Sequence, residues 1–160
     1  MNIAKIKPLD IANGDGIGVS VFVSGCDFHC EGCFNSEAWD YSYGEKADLD
    51  KILSAMSHEH VNHLSILGGE PLAPRNIEGV EKIIRAVRQA YPDKKIWLWT
   101  GFDEDELSAD QLRVISMVDY VTYGRFILRF RNIARKFSGS DNQYTVEVKT
   151  GKIIEGSFSI

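Results

Sequence analysis

Four short apolar runs, separated by stretches with helical spacing, set the framework of this chain, because few folds accommodate that order. Residues 17–24 (IGVSVFVS) are rich in valine and isoleucine and read as a buried strand. A polar loop runs from Gly25 to about Glu45. Asp48 is placed as the N-cap of a helix over about 49–58, with Leu49, Ile52, Leu53 and Met56 on one face. His63–Leu67 is the next strand and ends at Gly68-Gly69-Glu70-Pro71. Val80, Ile83, Ile84 and Val87 mark a helix that should stop near Tyr91, before Pro92. Lys95–Trp99 is a third strand, closed by Thr100-Gly101. A helix with Leu107, Leu112 and Ile115 inward follows, and 119–123 is a fourth strand.

Strands alternating with helices predict parallel pairing with right-handed crossovers. Four units are too few for a closed eight-fold barrel. The fold class expected is α/β: an open partial (β/α) barrel with a mostly parallel, curved sheet. In such sheets ligands sit beyond the C-terminal ends of the strands. The loop after 24, the Gly68-Gly69 turn, Thr100-Gly101 and Gly124-Arg125 all fall there. After Gly124 the rhythm fades, and 143–149 alternates like an edge strand or a hairpin arm. With no internal repeat or linker, 1–160 reads as a single domain.

The loop after the first strand carries all three cysteines of the chain, Cys26, Cys30 and Cys33. Such clustering is unlike a disulfide framework, which spreads an even number along the chain, and it points to metal or redox chemistry. Three close thiolates can hold three corners of a four-iron, four-sulfur cubane, and no fourth cysteine exists to close the remaining iron. An iron without a protein ligand can bind a substrate, as catalytic metal sites keep one position open. The alternative is zinc, held by the cysteines with His29, His58, His60 or His63. Zinc sites usually pair C-x2-C with a distant second pair, which this spacing lacks.

Two neighbouring features add chemistry. The two glycines after the second strand let backbone pass close to a ligand, and Glu70 offers a carboxylate to a ligand ammonium. Trp99 and Thr100, at the end of the third strand, could border a nucleoside, although core packing and turn capping explain them equally well. Trp97 reads as a core residue and His29 as a solvated loop residue. Arg125, Arg129, Arg131, Arg135 and Lys136, interleaved with Phe126, Phe130 and Phe137, suggest either a docking surface or a solvated basic segment.

Net charge of −5 and a pI near 5.4 leave no global basic footprint for a nucleic-acid partner. Lys5, Lys7 and Asp10 break up any leader-like apolar run, and no stretch reaches the roughly 18 apolar residues of a membrane helix. The expectation is a cytoplasmic protein with no membrane partner.

The C-x3-C-x2-C spacing, followed by Gly68-Gly69-Glu70, resembles the radical S-adenosylmethionine enzymes. Within them, Asn13-Gly14, Phe22–Cys26, Gly32-Cys33-Phe34-Asn35, Glu37, Trp39, Leu67–Leu72, Trp99–Phe102 and Gly139–Gln143 look like the activating proteins of anaerobic ribonucleoside-triphosphate reductases. The likeness covers about residues 10–148. It implies a cluster on Cys26, Cys30 and Cys33, with S-adenosyl-L-methionine at Gly32, Cys33, Phe34, Gly68, Gly69 and Glu70. It implies a 5′-deoxyadenosyl radical that takes hydrogen from a backbone glycine of the reductase, fed by a flavodoxin-like electron donor. An activase of another glycyl-radical enzyme, such as pyruvate formate-lyase, or a zinc interaction module without catalysis, are the other readings. Three positions depart from the pattern: Gly18 and Tyr144, where arginine is usual, and Tyr123, where aspartate is usual.

Overall fold

The computed structural model describes residues 1–156. Eight strands form one open sheet in the order β3-β1-β2-β4-β5-β6-β7-β8. The strands are β1 (Asn2–Asp10), β2 (Gly18–Val23), β3 (Glu45–Lys46), β4 (His63–Gly68), β5 (Lys95–Trp99), β6 (Tyr120–Tyr123), β7 (Tyr144–Glu147) and β8 (Lys152–Glu155). Three helices accompany them: α1 (Leu49–Met56), α2 (Ile77–Ala90) and α3 (Ala109–Ile115).

The α/β class and the four central strands agree with the sequence. β2, β4, β5 and β6 pair in parallel, from Gly18↔His63 through Leu64↔Ile96 to Leu98↔Val121. The expectation of a mostly parallel sheet needs correction, because β1, β3, β7 and β8 all join antiparallel. The sheet has two edges, β3 and β8, and does not close.

Side-chain alternation divides the sheet into two faces. Val19, Val21 and Val23 of β2, Leu64 and Ile66 of β4, Ile96 and Leu98 of β5 and Val121 of β6 point to one side. They form one core with Ile52 and Met56 of α1, Val80, Ile83, Ile84 and Val87 of α2, and Val114 and Ile115 of α3. Asp48 caps α1 as expected, accepting from the N–H groups of Asp50 and Lys51. Ile115 faces the core as expected and Leu107 packs against it, but Leu112 does not. Leu112 is 51% exposed, whereas Gln111, Val114 and Ile115 are buried. The helix starts only after its Ser108 cap. Gln111 is drawn inward because its amide donates to the Leu72 carbonyl at 2.8 Å.

The opposite face is also buried, under loops rather than helices, which is why these strands read as continuously apolar. Trp97 stacks on Tyr120 with ring centres 4.2 Å apart and meets Phe137 at 4.6 Å. Residues 11–17 cross the N-terminal half of this face as a strap. The Asn13 carbonyl accepts from His63 Nε2 at 2.7 Å and from Ser65 Oγ at 2.8 Å. Asp10 anchors the strap by accepting from the Ala12 N–H, the Asn13 amide and Ser20 Oγ. Burial pushes the pKa of His63 down, so its ring is neutral at pH 7. A side chain at Gly18 would run into the His63 ring, so glycine at 18 follows from the imidazole beside it.

Candidate functional site

The C-terminal ends of the four parallel strands open onto one cleft of ≈ 480 Å³. Cys26, Cys30 and Cys33 line it, together with Phe34, Gly68, Gly69, Glu70, Trp99, Thr100, Gly101 and Arg125. Gly32 is not among the lining residues. It turns the chain between Cys30 and Cys33 at φ +74°, with Leu128 against it.

The cysteine loop is shaped from below. The N–H groups of Gly25 and Cys26 donate to the carbonyls of Ala38 and Trp39 at 2.7 and 3.0 Å, so the segment after Cys33 folds back under its start. His29 takes φ +48° and stacks its exposed ring on Trp39, with centres 4.5 Å apart. All three thiols are partly buried. Burial pushes Cys26 up to about 11, while the backbone N–H groups of Phe28 and His29 pull in the other direction. Burial also raises Cys30, with the Phe126 N–H and the Arg125 charge opposing it. The Asn35 N–H lies 3.4 Å from Cys33 Sγ. N–H groups directed at sulfur are the partners that iron–sulfur thiolates use to stabilise their charge.

The Gly68-Gly69 turn packs directly on this loop. The Gly69 and Glu70 N–H groups donate to the carbonyls of Val23 and Gly25, both at 2.8 Å. A Cβ on Gly68 would lie 2.7 Å from Phe22 Cα, and one on Gly69 would lie 2.5 Å from the Gly25 carbonyl. Glycine is therefore demanded by backbone meeting backbone. The buried Asn76 amide completes the joint by donating to the carbonyls of Ser24 at 3.0 Å and Glu70 at 3.0 Å.

Glu70 is held by partners within the chain. It lines the cleft, but its carboxylate accepts from the Leu72 N–H, Thr100 Oγ1 and the Gly101 N–H at 2.8, 2.8 and 2.7 Å. It is 3% exposed, and burial lifts its pKa to about 7. The side chain braces the end of β4 against the end of β5. Thr100 is likewise engaged, donating to Glu70 and accepting from the Phe102 N–H at 3.2 Å, so it caps the turn. Trp99 borders the cleft, with Nε1 donating to the Phe137 carbonyl at 2.7 Å.

Several site residues carried no sequence signal. Phe28 sits between Phe102, at 4.9 Å, and the Arg125 guanidinium, at 4.5 Å, and so ties the cysteine loop to the end of β6. Ala12 enters the wall from a segment far away in sequence, as do Asn13 and Gln143, which the family resemblance marks. Asn76 could have been suspected only as a polar residue just before a helix.

The donor set fits a cubane better than a zinc ion. The three thiols meet at the cleft; His29, in the same loop, stacks on Trp39 and is not among the lining residues, and the other histidines lie elsewhere. His63 has both ring nitrogens engaged, by Asn13 and Asn62. His58 and His60 follow α1 and precede β4, on the N-terminal side of the strands, away from the cleft. Among the described residues, no three His, Cys, Asp or Glu side chains stand close enough to share one metal ion. A cubane does not ask for that, because each thiolate binds a different iron.

Comparison with known proteins agrees with this geometry. The family model of 4Fe-4S single cluster domains matches residues 12–146, which places the chain in that class. Curated relatives narrow it. The anaerobic ribonucleoside-triphosphate reductase-activating protein of Escherichia coli (strain K12) is 34% identical over 148 residues, covering 89% of this chain and 96% of the relative. The proteins of that name from Vibrio cholerae and from Enterobacteria phage T4 are also 34% identical, covering 96% and 92% of their own lengths. The chain belongs to the anaerobic ribonucleoside-triphosphate reductase-activating protein family.

Proposed function

We propose that the chain is a radical S-adenosylmethionine activase that prepares the anaerobic ribonucleoside-triphosphate reductase for turnover. The observation that carries this reading is the meeting of Cys26, Cys30 and Cys33 with the Gly68-Gly69 turn in one cleft at the ends of the parallel strands. Cys26, Cys30 and Cys33 hold a 4Fe-4S cluster by three corners. Cys33, Phe34, Gly68 and Gly69 would hold S-adenosyl-L-methionine. When bound, these groups supply one-electron cleavage of the sulfonium to methionine and a 5′-deoxyadenosyl radical, which takes a hydrogen atom from a glycine Cα of the reductase and leaves a glycyl radical there.

The chain's own residues do the positioning. Glu70, Thr100 and Asn76 hold the glycine turn against the cysteine loop. Phe28 and Arg125 hold that loop to β6. Trp99 and Phe137 exclude water from the inner wall. The open sheet wraps only partly round the cleft, as a partial barrel, and admits a loop of another protein. The electron comes from a flavodoxin-like donor, and the reaction is cytoplasmic. No helix of the described residues is long and apolar enough to cross a membrane.

The test is anaerobic reconstitution with iron and sulfide, reduction by dithionite, addition of S-adenosylmethionine and assay of 5′-deoxyadenosine, for wild type beside Cys30→Ala. Product should depend on Cys30, and a glycyl-radical EPR signal should appear when the reductase is added. Folded protein that gains neither cluster absorption nor product would refute the reading.

A further inference from the structure

β6 and β7 are antiparallel neighbours, paired from Tyr120↔Glu147 to Tyr123↔Tyr144, so a two-residue hairpin would suffice to join them. Residues 124–143 intervene instead. Structureless connections of that length are uncommon in compact domains and are usually functional. This one is ordered by its own hydrogen bonds. The Asp141 N–H donates to the Phe130 carbonyl at 2.8 Å, Asn132 N–H to the Gly139 carbonyl at 2.9 Å, and the Arg135 guanidinium to the carbonyls of Asp141 and Gln143 at 3.0 and 3.1 Å. A rigid surface is thus built where topology needs none.

That surface adjoins the cysteines. Leu128 packs at Gly32, and Phe126 lies 5.0 Å from Phe34 between ring centres. The Arg131 guanidinium lies 5.5 Å from the centre of the Phe34 ring. Its outer side combines charge with apolar area: Phe34, Leu128 and Ile133 are 55, 42 and 77% exposed. In a chain of net charge −5, residues 125–137 hold five basic groups and no acid. Arg125 and Arg135 spend their charge internally, on Glu106 and on Asp141 and Glu155. Arg129, Arg131 and Lys136 are exposed and have no ion pair among the described residues. Exposed arginine beside exposed aromatic and aliphatic groups is the composition of a protein-binding hot spot, and unpaired charge of one sign steers a partner of the other.

We infer that this face, formed by Leu128, Arg129, Arg131 and Lys136 with Phe34, is where the reductase docks, through an acidic surface beside the glycine it presents to the cleft. The inference rests on the function proposed above and assigns a surface to it. A protein donor of electrons would also approach near the cluster. The reductase is favoured because the same connection supplies both the outer patch and, through Ile133 and Phe137, the cleft wall that its glycine must pass.

The test uses Arg129→Glu/Arg131→Glu and, separately, Lys136→Glu in the reconstituted protein. Three quantities are measured: affinity for the reductase across a salt series, reductase-free 5′-deoxyadenosine formation with dithionite, and reduction by a flavodoxin. The double variant should bind the reductase roughly tenfold or more weakly at low salt and lose most of the salt dependence, with dithionite-driven product unchanged. Lys136→Glu should shift affinity in the same direction by less. Unchanged affinity and salt slope, with product still formed, would overturn the docking surface and leave the activase reading standing. Slower reduction by flavodoxin with reductase binding intact would give the patch to the electron donor and overturn it as well. Wild type that forms no product would remove the function on which both rest.

Discussion

Two buried carboxyls have pKa values shifted in opposite directions. Burial raises Asp10, but the hydrogen bonds from Ser20, Ala12 and Asn13 and the Lys7 charge outweigh it and bring its pKa down to about 2. Its stabilisation is present above the unfolded value near 4 and is lost as pH falls from about 4 to 2, for about 2 kcal/mol. Glu70 behaves inversely. Its folded pKa of about 7 lies above the unfolded value, so the folded state holds the proton more tightly. Stability from this residue is complete below about pH 4.5 and falls as pH rises to about 7, by about 3 kcal/mol. Urea midpoints of the apo-protein against pH should therefore show a falling limb on each side of pH 4–5. Asp10→Asn should flatten the acid limb. Glu70→Gln should flatten the neutral limb while lowering stability at pH 5, because an amide NH₂ cannot accept from the donors that face Glu70. A wild-type midpoint that rises steadily from pH 5 to 7 would contradict this assignment for Glu70. Asn76→Ala leaves the Ser24 carbonyl unpaired in a buried joint, with the Glu70 carbonyl keeping only the Ala73 N–H, and should cost about 2 kcal/mol, read by chemical denaturation.

At the scale of elements, the most legible parts were those with a strong period. The four central strands fall within a residue or two of their predicted bounds and α2 ends where expected, because both faces of those strands are buried and the helix carries one clear apolar stripe. β1 and β8 were missed for the opposite reason. They lie at or near the sheet margins, where Lys5, Lys7, Pro8 and Lys152 suit an exposed position and erase the alternation. The cysteines and the glycine turn announced themselves by spacing. Phe28 and Asn76 reach the site only through tertiary contacts that no local pattern encodes. Two of the three departures from the family pattern adjoin in the fold: Tyr123 and Tyr144 are register partners across β6 and β7, with rings 5.5 Å apart. The contact between the glycine turn and the cysteine loop makes its own prediction. Gly69→Ala should push the Gly25 carbonyl outward, cost about 2 kcal/mol or more, and lower the iron bound after reconstitution, measured by iron content per chain.

For the molecule as a whole, the core between sheet and helices contains no cysteine, and the thiols lie on a loop beyond the strand ends. Folding should therefore survive loss of the cluster, unlike small metal domains that unfold without their ion. Apo wild type and Cys30→Ala should each melt cooperatively by far-UV circular dichroism, within about 5 °C of one another. A non-cooperative melt of the apo-protein would show that the cluster is part of the fold. The strap across the other face carries a consequence for descent. His63 occupies the space that a side chain at position 18 would need, and the same ring fixes Asn13, which borders the cleft. Neither position can change alone: enlarging residue 18 evicts the imidazole, and shrinking residue 63 first leaves a hole and a loosened strap. Lineages that carry a large residue at 18 should thus differ at 63 as well, so that two substitutions far apart in sequence are inherited as one.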